Sequence, residues 1–168
     1  MTALRLDVAD LLTHPSARRE ERVTVPVPGM TNSAARVPDD EPVELDLVLE
    51  RVPDGIVVRG TIATRWRAEC SVCLGDVSRP VSMGVSELFE PDPLEGDTYP
   101  LDGHEIDLEQ LVRDTVVLEL PLAPTCAPDG TGPCAHAPER EAEPAPAEPP
   151  DPPDPRWAAL SQLELNER

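Results

Sequence analysis

Residues 56 to 89 constrain the fold more than any other stretch of the chain. Apolar and polar residues alternate through Ile56–Glu69, the period of a strand that buries one face. The alternation resumes in Val77–Phe89, and Cys70 and Cys73 lie at the bend between the two runs. This pattern predicts a long antiparallel hairpin that carries two thiols at its turn.

Further strands are predicted before this hairpin. Alternating residues indicate a strand at 4–8, an edge strand with neighbouring prolines at 23–27, and a half-buried strand at 43–49. Polar loops are predicted at 14–22 and 29–40. The turn composition of Val52-Pro53-Asp54-Gly55 joins the third strand directly to the hairpin, which predicts an antiparallel meander.

One helix is predicted after an acidic loop at 90–102. Asp107 is a candidate N-cap, with Gln110 as the second half of a capping box. Glu109 and Arg113 are spaced to form an ion pair one turn apart. Periodicity leaves open whether residues 116 to 120 continue the helix or form a short strand.

The C-terminal part has the composition of a tail. Twelve of the 22 prolines lie between Pro121 and Pro155, and proline at that density excludes regular strands and helices. Helical spacing returns at Trp157, Leu160 and Leu163, which predicts a terminal docking helix. We therefore expect an α+β fold, mainly an antiparallel meander rolled toward a barrel, with one packed helix and a disordered acidic tail. The predicted divisions are a domain at 1–125, a cysteine-containing segment at 126–137, a linker at 138–153 and the docking helix at 154–165.

Charge is concentrated in the second half of the chain. The formal net charge is −19, of which residues 89 to 168 contribute −15. So acidic a protein is repelled by phosphate backbones, and counterion release cannot drive its binding to nucleic acid. Non-specific nucleic-acid binding is not expected, and a basic partner fits this half better.

Four cysteines define a candidate metal site. Cys70 and Cys73 have the spacing that lets two sulfurs reach one zinc ion from a tight turn. Cys126 and Cys134 are separated by seven residues, a looser arrangement. If the two pairs meet they close a structural zinc site, in which His136 is an alternative ligand; reduced thiols at a turn and in a loop are the other interpretation.

An arginine face is the second candidate site. Arg59, Arg65 and Arg67 share one face of the first hairpin strand, and Arg79 lies nearby on the return strand. They are candidates for binding RNA or an acidic partner. A solvated face with cross-strand ion pairs is the simpler interpretation, and we favour it.

No catalytic constellation is recognisable. His104 and Glu105 lie in a polar loop without a nucleophile, and no glycine-rich phosphate loop precedes a helix. No apolar run of 18 residues and no signal-peptide pattern occurs. We expect a non-enzymatic cytoplasmic protein with no membrane association and no small-molecule substrate.

An ordered series of motifs resembles the bacterial YceD family, the large ribosomal RNA subunit accumulation protein, across about residues 4 to 165. The motifs that carry the resemblance are Ala68-Glu69-Cys70-Ser71-Val72-Cys73-Leu74, Glu87-Leu88-Phe89, Ile106-Asp107-Leu108, Val112-Arg113-Asp114, Leu118-Glu119-Leu120-Pro121, Pro124-Thr125-Cys126 and Asp154-Pro155-Arg156-Trp157-Ala158-Ala159-Leu160.

The resemblance implies a non-enzymatic factor in ribosome biogenesis that supports 23S rRNA accumulation. Its expected partners are a basic large-subunit ribosomal protein or assembly factor, with 23S rRNA precursor as the alternative through the arginine face. Many family members carry a four-cysteine cluster after the proline. Here Cys126 and Cys134 match its first and third positions, whereas Gly130 and Ala137 replace the second and fourth. This departure leaves a shared site with Cys70 and Cys73 as the only complete zinc set.

Overall fold

The structure is a computed structural model that describes residues 4–134 and 136–137. It is rich in strands and contains two helices within those residues. The elements in chain order are β1 (Arg5–Asp7), α1 (Ala9–Thr13), β2 (Arg18–Pro26), β3 (Ala35–Arg36), β4 (Pro42–Val52), β5 (Gly55–Glu69), β6 (Asp76–Glu90), β7 (Tyr99–Asp102), β8 (Glu105–Asp107) and α2 (Leu108–Glu119).

The predicted hairpin is the centre of the sheet. Strands β5 and β6 have 15 residues each and pair antiparallel from Ile56 opposite Phe89 to Glu69 opposite Asp76. Strand β4 pairs antiparallel with the other edge of β5, so the meander is confirmed. The apolar residues of the alternation face inward, and Ile56, Val58 and Ile62 are fully buried.

The sheet extends to both sides of this meander and curls into a half-barrel. Its strand order is β1-β8-β7-β6-β5-β4-β2, with β3 paired to β5. The predicted polar loops were too long: β2 begins at Arg18, β3 lies within residues 29–40, and β7 lies within residues 90–102. These strands are short or exposed, so they lack the apolar alternation by which strands are recognised.

One glycine permits the closest contact between β4 and β5. A Cβ atom on Gly60 would lie 2.1 Å from the carbonyl oxygen of Asp46, and the residue has a φ of +153°. No other residue type fits there without moving β4. The absence of a side chain therefore lets the two strands remain in register at the pair Leu47 and Gly60.

Helix α2 closes one end of the half-barrel. Its N-cap is Asp107, as predicted, but the carboxylate accepts the backbone N–H of Glu109, and the Gln110 side chain donates to Asp114 and forms no capping box. The ion pair between Glu109 and Arg113 is present at 2.8 Å. Helical hydrogen bonding continues to Glu119, which resolves the alternative between helix and strand.

Leucine, valine and isoleucine dominate the core. Helix α2 contributes Leu108, Leu111, Val112 and Val116, which pack with the inward residues of the sheet. Among the described residues, no helix combines the length and the apolarity needed to cross a membrane. The predicted linker and docking helix lie outside the described residues.

Candidate metal centre and partner surfaces

The hairpin turn between β5 and β6 fixes the first cysteine pair. The N–H of Cys70 donates to the carbonyl of Gly75 at 2.8 Å, and the N–H of Leu74 donates to the carbonyl of Cys70 at 3.0 Å. Leu74 has a φ of +59°, in the left-handed region that costs a residue with a Cβ about 1–2 kcal/mol. Its side chain is 73% exposed, so no packing of the described residues compensates for this conformation.

The second pair lies in a loop held by its own hydrogen bonds. The N–H of Thr125 donates to the carbonyl of Gly130, and the hydroxyl of Thr125 donates to the carbonyl of Gly132 at 2.7 Å. The carboxylate of Asp129 accepts the N–H groups of Thr131 and Gly132. Those two bonds, that of Gly132 first, lower the pKa of Asp129. The loop is therefore ordered by contacts that need no metal.

Three contacts hold this loop against the hairpin. The N–H of Ser71 donates to the carbonyl of Pro124 at 2.8 Å. Arg79 donates through Nη2 to the carbonyl of Ala127 at 3.1 Å. Gly130 lies directly over the indole ring of Trp66, which is buried. The two cysteine pairs are brought together because the loop closes over the Trp66 end of the sheet.

The four sulfur atoms lie within 4.8 Å of one another. Cys70 and Cys134 are 3.7 Å apart, Cys73 and Cys126 are 3.9 Å apart, and Cys126 and Cys134 are 3.2 Å apart. A tetrahedral zinc site with Zn–S bonds of about 2.3 Å has S···S edges of about 3.8 Å. A disulfide requires about 2.05 Å. The cluster therefore has the dimensions of a four-thiolate metal site.

The local environment shifts the pKa values of two of these thiols in opposite directions. Hydrogen bonds from the backbone N–H groups of Cys73 and then Val72 lower the pKa of Cys70 to about 7. Burial, followed by the hydrogen bond with Cys126, raises the pKa of Cys134 to about 12. A bound cation ionises coordinating thiols regardless of their free pKa values, so it would remove this difference.

His136 lies at the margin of the cluster. Its Nδ1 is 3.5 Å from the sulfur of Cys126, and its backbone N–H donates to the sulfur of Cys134 at 3.4 Å. The imidazole is exposed, and the four sulfurs form a complete set without it. The role of His136 as a replacement ligand stays a prediction; its contacts also fit a group that hydrogen-bonds to the candidate ligands Cys126 and Cys134.

The arginines of the predicted face have different surroundings. Arg59 is 4.0 Å from Glu50 in an exposed pair, and Arg65 is 3.9 Å from Glu41, whose side chain is partly buried. Both distances are at the long limit of an ion pair, so each pair contributes little to stability. Arg67 has no ion-pair partner among the residues that the structure describes. Its cross-strand neighbour on β3 is another arginine, Arg36.

Arg79 does not belong to this face. It is the cross-strand partner of Trp66, so it lies on the opposite side of the sheet, where it contacts the cysteine loop. Arg79 lies near Arg65 and Arg67 on the return strand, as expected, but its place in the alternation differs by one residue, so it cannot join their face. The predicted docking residues Trp157, Leu160 and Leu163 lie outside the described part of the chain.

Two features escaped the sequence analysis. Arg36 lies in a segment predicted to be a loop, and nothing in the sequence signals that β3 pairs with the end of β5. The contact between Gly130 and Trp66 is equally non-local. A glycine between two cysteines, next to an aspartate, was the only available signal of a tight turn.

Comparison with known protein families identifies the family of this chain. The family model described as "Large ribosomal RNA subunit accumulation protein YceD" matches residues 58–164. The chain belongs to the YceD family. The match begins inside β5 and includes the hairpin, α2 and all four cysteines. The family's description ties YceD proteins to accumulation of the large ribosomal RNA subunit.

Mycobacterial relatives cover more of the chain. An uncharacterized protein of Mycobacterium tuberculosis strain H37Rv is 34% identical over 168 residues, which is 95% of this chain and 81% of the relative. An uncharacterized protein of Mycobacterium leprae is 36% identical over 133 residues, 73% of this chain and 59% of the relative. No solved structure matches the chain significantly.

Proposed function

We propose that this YceD protein is a non-enzymatic, cytoplasmic ribosome-biogenesis factor that supports 23S rRNA accumulation by binding a basic large-subunit ribosomal protein or assembly factor. Membership of the YceD family supports a role in rRNA accumulation. The negative charge of the chain supports a basic partner. The cysteine cluster supports a structural role for metal.

The observation that carries the choice of partner is the acidity of residues 89–119, the segment that runs from the end of β6 through β7 and β8 to the end of α2. Residues 89 to 119 contain ten carboxylates and a single arginine. Ion pairs occupy three of these carboxylates: Glu105 and Asp107 contact Arg5, and Glu109 contacts Arg113. The seven others have no basic partner among the described residues. Their shared sign favours encounter with a basic protein over RNA.

Two leucines of this acidic segment are exposed. Leu94 is 62% exposed and Leu118 is 85% exposed, and both lie in the acidic segment. Exposed apolar side chains surrounded by charge are typical of protein interfaces. The carboxylates would steer association, and the leucines would add buried apolar area after contact.

We further propose that Cys70, Cys73, Cys126 and Cys134 bind one structural zinc ion. A four-thiolate zinc site has no open position for substrate, so the ion would supply folding energy and no catalysis. It would fasten the cysteine loop to the hairpin. The S···S distances of 3.2–3.9 Å support this assignment.

The test of function is a tagged pull-down from the native host, divided into samples with and without ribonuclease. We expect a basic large-subunit protein or assembly factor that survives ribonuclease. If 23S precursor alone is recovered and all protein partners are lost on ribonuclease, the primary partner is RNA and not a protein. Recovery of neither would contradict it.

Charge variants test whether carboxylates of the acidic segment bind the partner. Replacing the exposed Asp92, Glu95 and Asp97 by Asn, Gln and Asn should weaken partner binding about tenfold and reduce its salt dependence. The matched control changes three exposed carboxylates elsewhere, Glu20→Gln, Asp40→Asn and Asp54→Asn, with the same change in net charge. Equal effects of the two triple variants would show that net charge alone acts, and would contradict a defined acidic surface.

A further inference from the structure

A groove at the Cys70 end of the sheet carries two pairs of like charges. Arg36 on β3 lies directly opposite Arg67 on β5, and Glu69 on β5 lies directly opposite Asp76 on β6. All four side chains line one groove of about 660 Å³, together with Ser78. Like charges placed directly opposite each other destabilise a sheet.

None of these four side chains has an ion-pair partner in the described ranges. Arg67 and Glu69 are two residues apart on one strand, so they share a face and their Cα atoms are about 7 Å apart. The groove therefore presents a cationic pair and an anionic pair at neighbouring positions. The folded protein therefore retains two repulsive like-charge pairs. A ligand that carries both an anionic group and hydrogen-bond donors would offset both repulsions.

Hydrogen bonds of Asn32 fix the backbone of the wall that carries Arg36. The side chain of Asn32 accepts the N–H groups of Ala34 and Ala35 at 2.8 Å and donates to the carbonyl of Leu120 at 3.0 Å. These bonds fasten the loop before β3 to the end of α2. The backbone of Arg36 is therefore held opposite Arg67 before any ligand arrives, so only the side chain has to be ordered on binding.

We propose that this groove binds one nucleotide of single-stranded RNA, with the phosphate at Arg36 and Arg67 and the base edge at Glu69 and Asp76. Paired arginines match a phosphate, whose oxygens accept several N–H donors. Carboxylates only accept hydrogen bonds, so they select bases that present donors. Guanine presents N1–H and an exocyclic amino group together, whereas uracil has no amino group.

The volume and the charges of the groove agree with this ligand. Pockets for small ligands occupy about 300–1,000 Å³. The carboxylates repel a bare phosphate chain, so binding depends on the base. This distinguishes the groove from a generally basic RNA-binding surface, which the net charge of −19 makes unfavourable. The residues that line the groove lie outside the acidic segment 89–119, and the site does not depend on the proposed function.

The test uses the full-length protein and measures binding by NMR or calorimetry of guanosine 5′-monophosphate, uridine 5′-monophosphate and inorganic phosphate. We expect guanosine monophosphate to bind at least about tenfold more tightly than either of the others. Equal binding of all three indicates an anion site only and overturns the proposal, as does no binding of any probe at millimolar concentration. The oligoribonucleotides UGU and UUU distinguish RNA from a free nucleotide as the ligand. Tighter binding of UGU than of the free nucleotide assigns the groove to RNA. Tighter binding of the free nucleotide overturns that assignment.

Variants separate the two ends of the groove. Arg67→Gln should weaken binding of guanosine monophosphate about tenfold or more. The control Arg18→Gln removes an exposed arginine of β2 that has no ion pair with any described residue, and it should leave binding unchanged. Asp76→Asn should reduce the preference for guanine over uracil, because only Glu69 then remains to accept from the base, while phosphate affinity stays the same or rises. Because it removes a like-charge contact, Arg67→Gln should also raise Tm without ligand, and a lower Tm together with unchanged binding would overturn the proposal.

Discussion

Gly130 lies in contact with the indole ring of Trp66. A Cβ atom at position 130 would be 3.1 Å from Cζ2 of Trp66 and 3.4 Å from Cη2. The φ of Gly130 is +79°, in the left-handed region that glycine adopts without cost. The cysteine loop therefore closes over the sheet at a point where two requirements, conformation and space, both select glycine.

Gly130→Ala should destabilise the protein by about 2–3 kcal/mol, measured as the free energy of unfolding in denaturant at fixed free zinc. About 1–2 kcal/mol comes from the left-handed conformation, and the remainder comes from overpacking against Trp66. The matched control is Gly96→Ala, because Gly96 has a φ of +85° but no atom within 4 Å of the added Cβ. Equal losses in the two variants would show that the contact with Trp66 does not contribute.

Removal of the proposed zinc ion should loosen the cysteine loop over Trp66. In a Trp157→Phe background Trp66 is the only tryptophan, and chelation should shift its emission to the red because the covering loop loosens and water enters. Chelation should also cost several kcal/mol of stability, since an ion held at a thousandfold excess over its Kd contributes about 4 kcal/mol.

The stoichiometry of zinc provides the control for this experiment. Anaerobically purified protein should contain one zinc per chain. Cys70→Ser and Cys126→Ser should each lose it, while His136→Ala should retain it because the imidazole is not among the four ligands. Well under one zinc in the unaltered protein would contradict the assignment.

Local sequence patterns predicted the parts of the fold that depend on one strand or one helix. The alternation from Ile56 to Glu69 gave both the length of β5 and its buried face. Asp107 identified the start of α2 because an N-cap is a property of three or four consecutive residues. β3 could not be predicted in this way, since its two residues are a strand only through their pairing with Ala68 and Arg67.

The four cysteines could be identified from the sequence as a candidate metal-binding set, but their convergence at one place could not. The spacing of Cys70 and Cys73 marked a turn, but only the contacts of Pro124, Ala127 and Gly130 bring the second pair to it. Arg79 shows the same limit: its function in the structure is to hold Ala127, which is 48 residues away in the chain. Non-local contacts of this kind leave no periodic signal.

Leu74→Gly should stabilise the protein by about 0.5–1 kcal/mol. Glycine removes the cost of the left-handed conformation at φ +59°, and the greater entropy of unfolded glycine offsets part of the gain. Leu74→Ala is the control, since alanine keeps the unfavourable Cβ and should give no gain. Denaturant unfolding measures both, and a loss on Leu74→Gly would show that the exposed leucine side chain itself stabilises the turn.

Tyr99 links the sheet to α2 in a way that pH can test. Its hydroxyl donates to Asp114 at 3.2 Å, and its ring stacks on Phe89 with centroids 5.2 Å apart. Burial, and then the charge of Asp114, raises the pKa of Tyr99 to about 12 from an ordinary value of 10.0. Because the folded state holds the phenol neutral, this contribution to stability is fully present below pH 10 and is lost as the pH rises through 12.

The chain has one tyrosine, so the ultraviolet absorbance of phenolate reports this group alone. We expect half-ionisation near pH 12 in the folded protein. Asp114→Asn should bring the pKa back toward 10 because the amide carries no charge to oppose the phenolate. Tyr99→Phe should cost about 1–2 kcal/mol at neutral pH through loss of the hydrogen bond to a carboxylate. Titration near pH 10 in folded, unaltered protein would mean that neither burial nor Asp114 acts on the hydroxyl, and that the bond between β7 and α2 is not formed in solution.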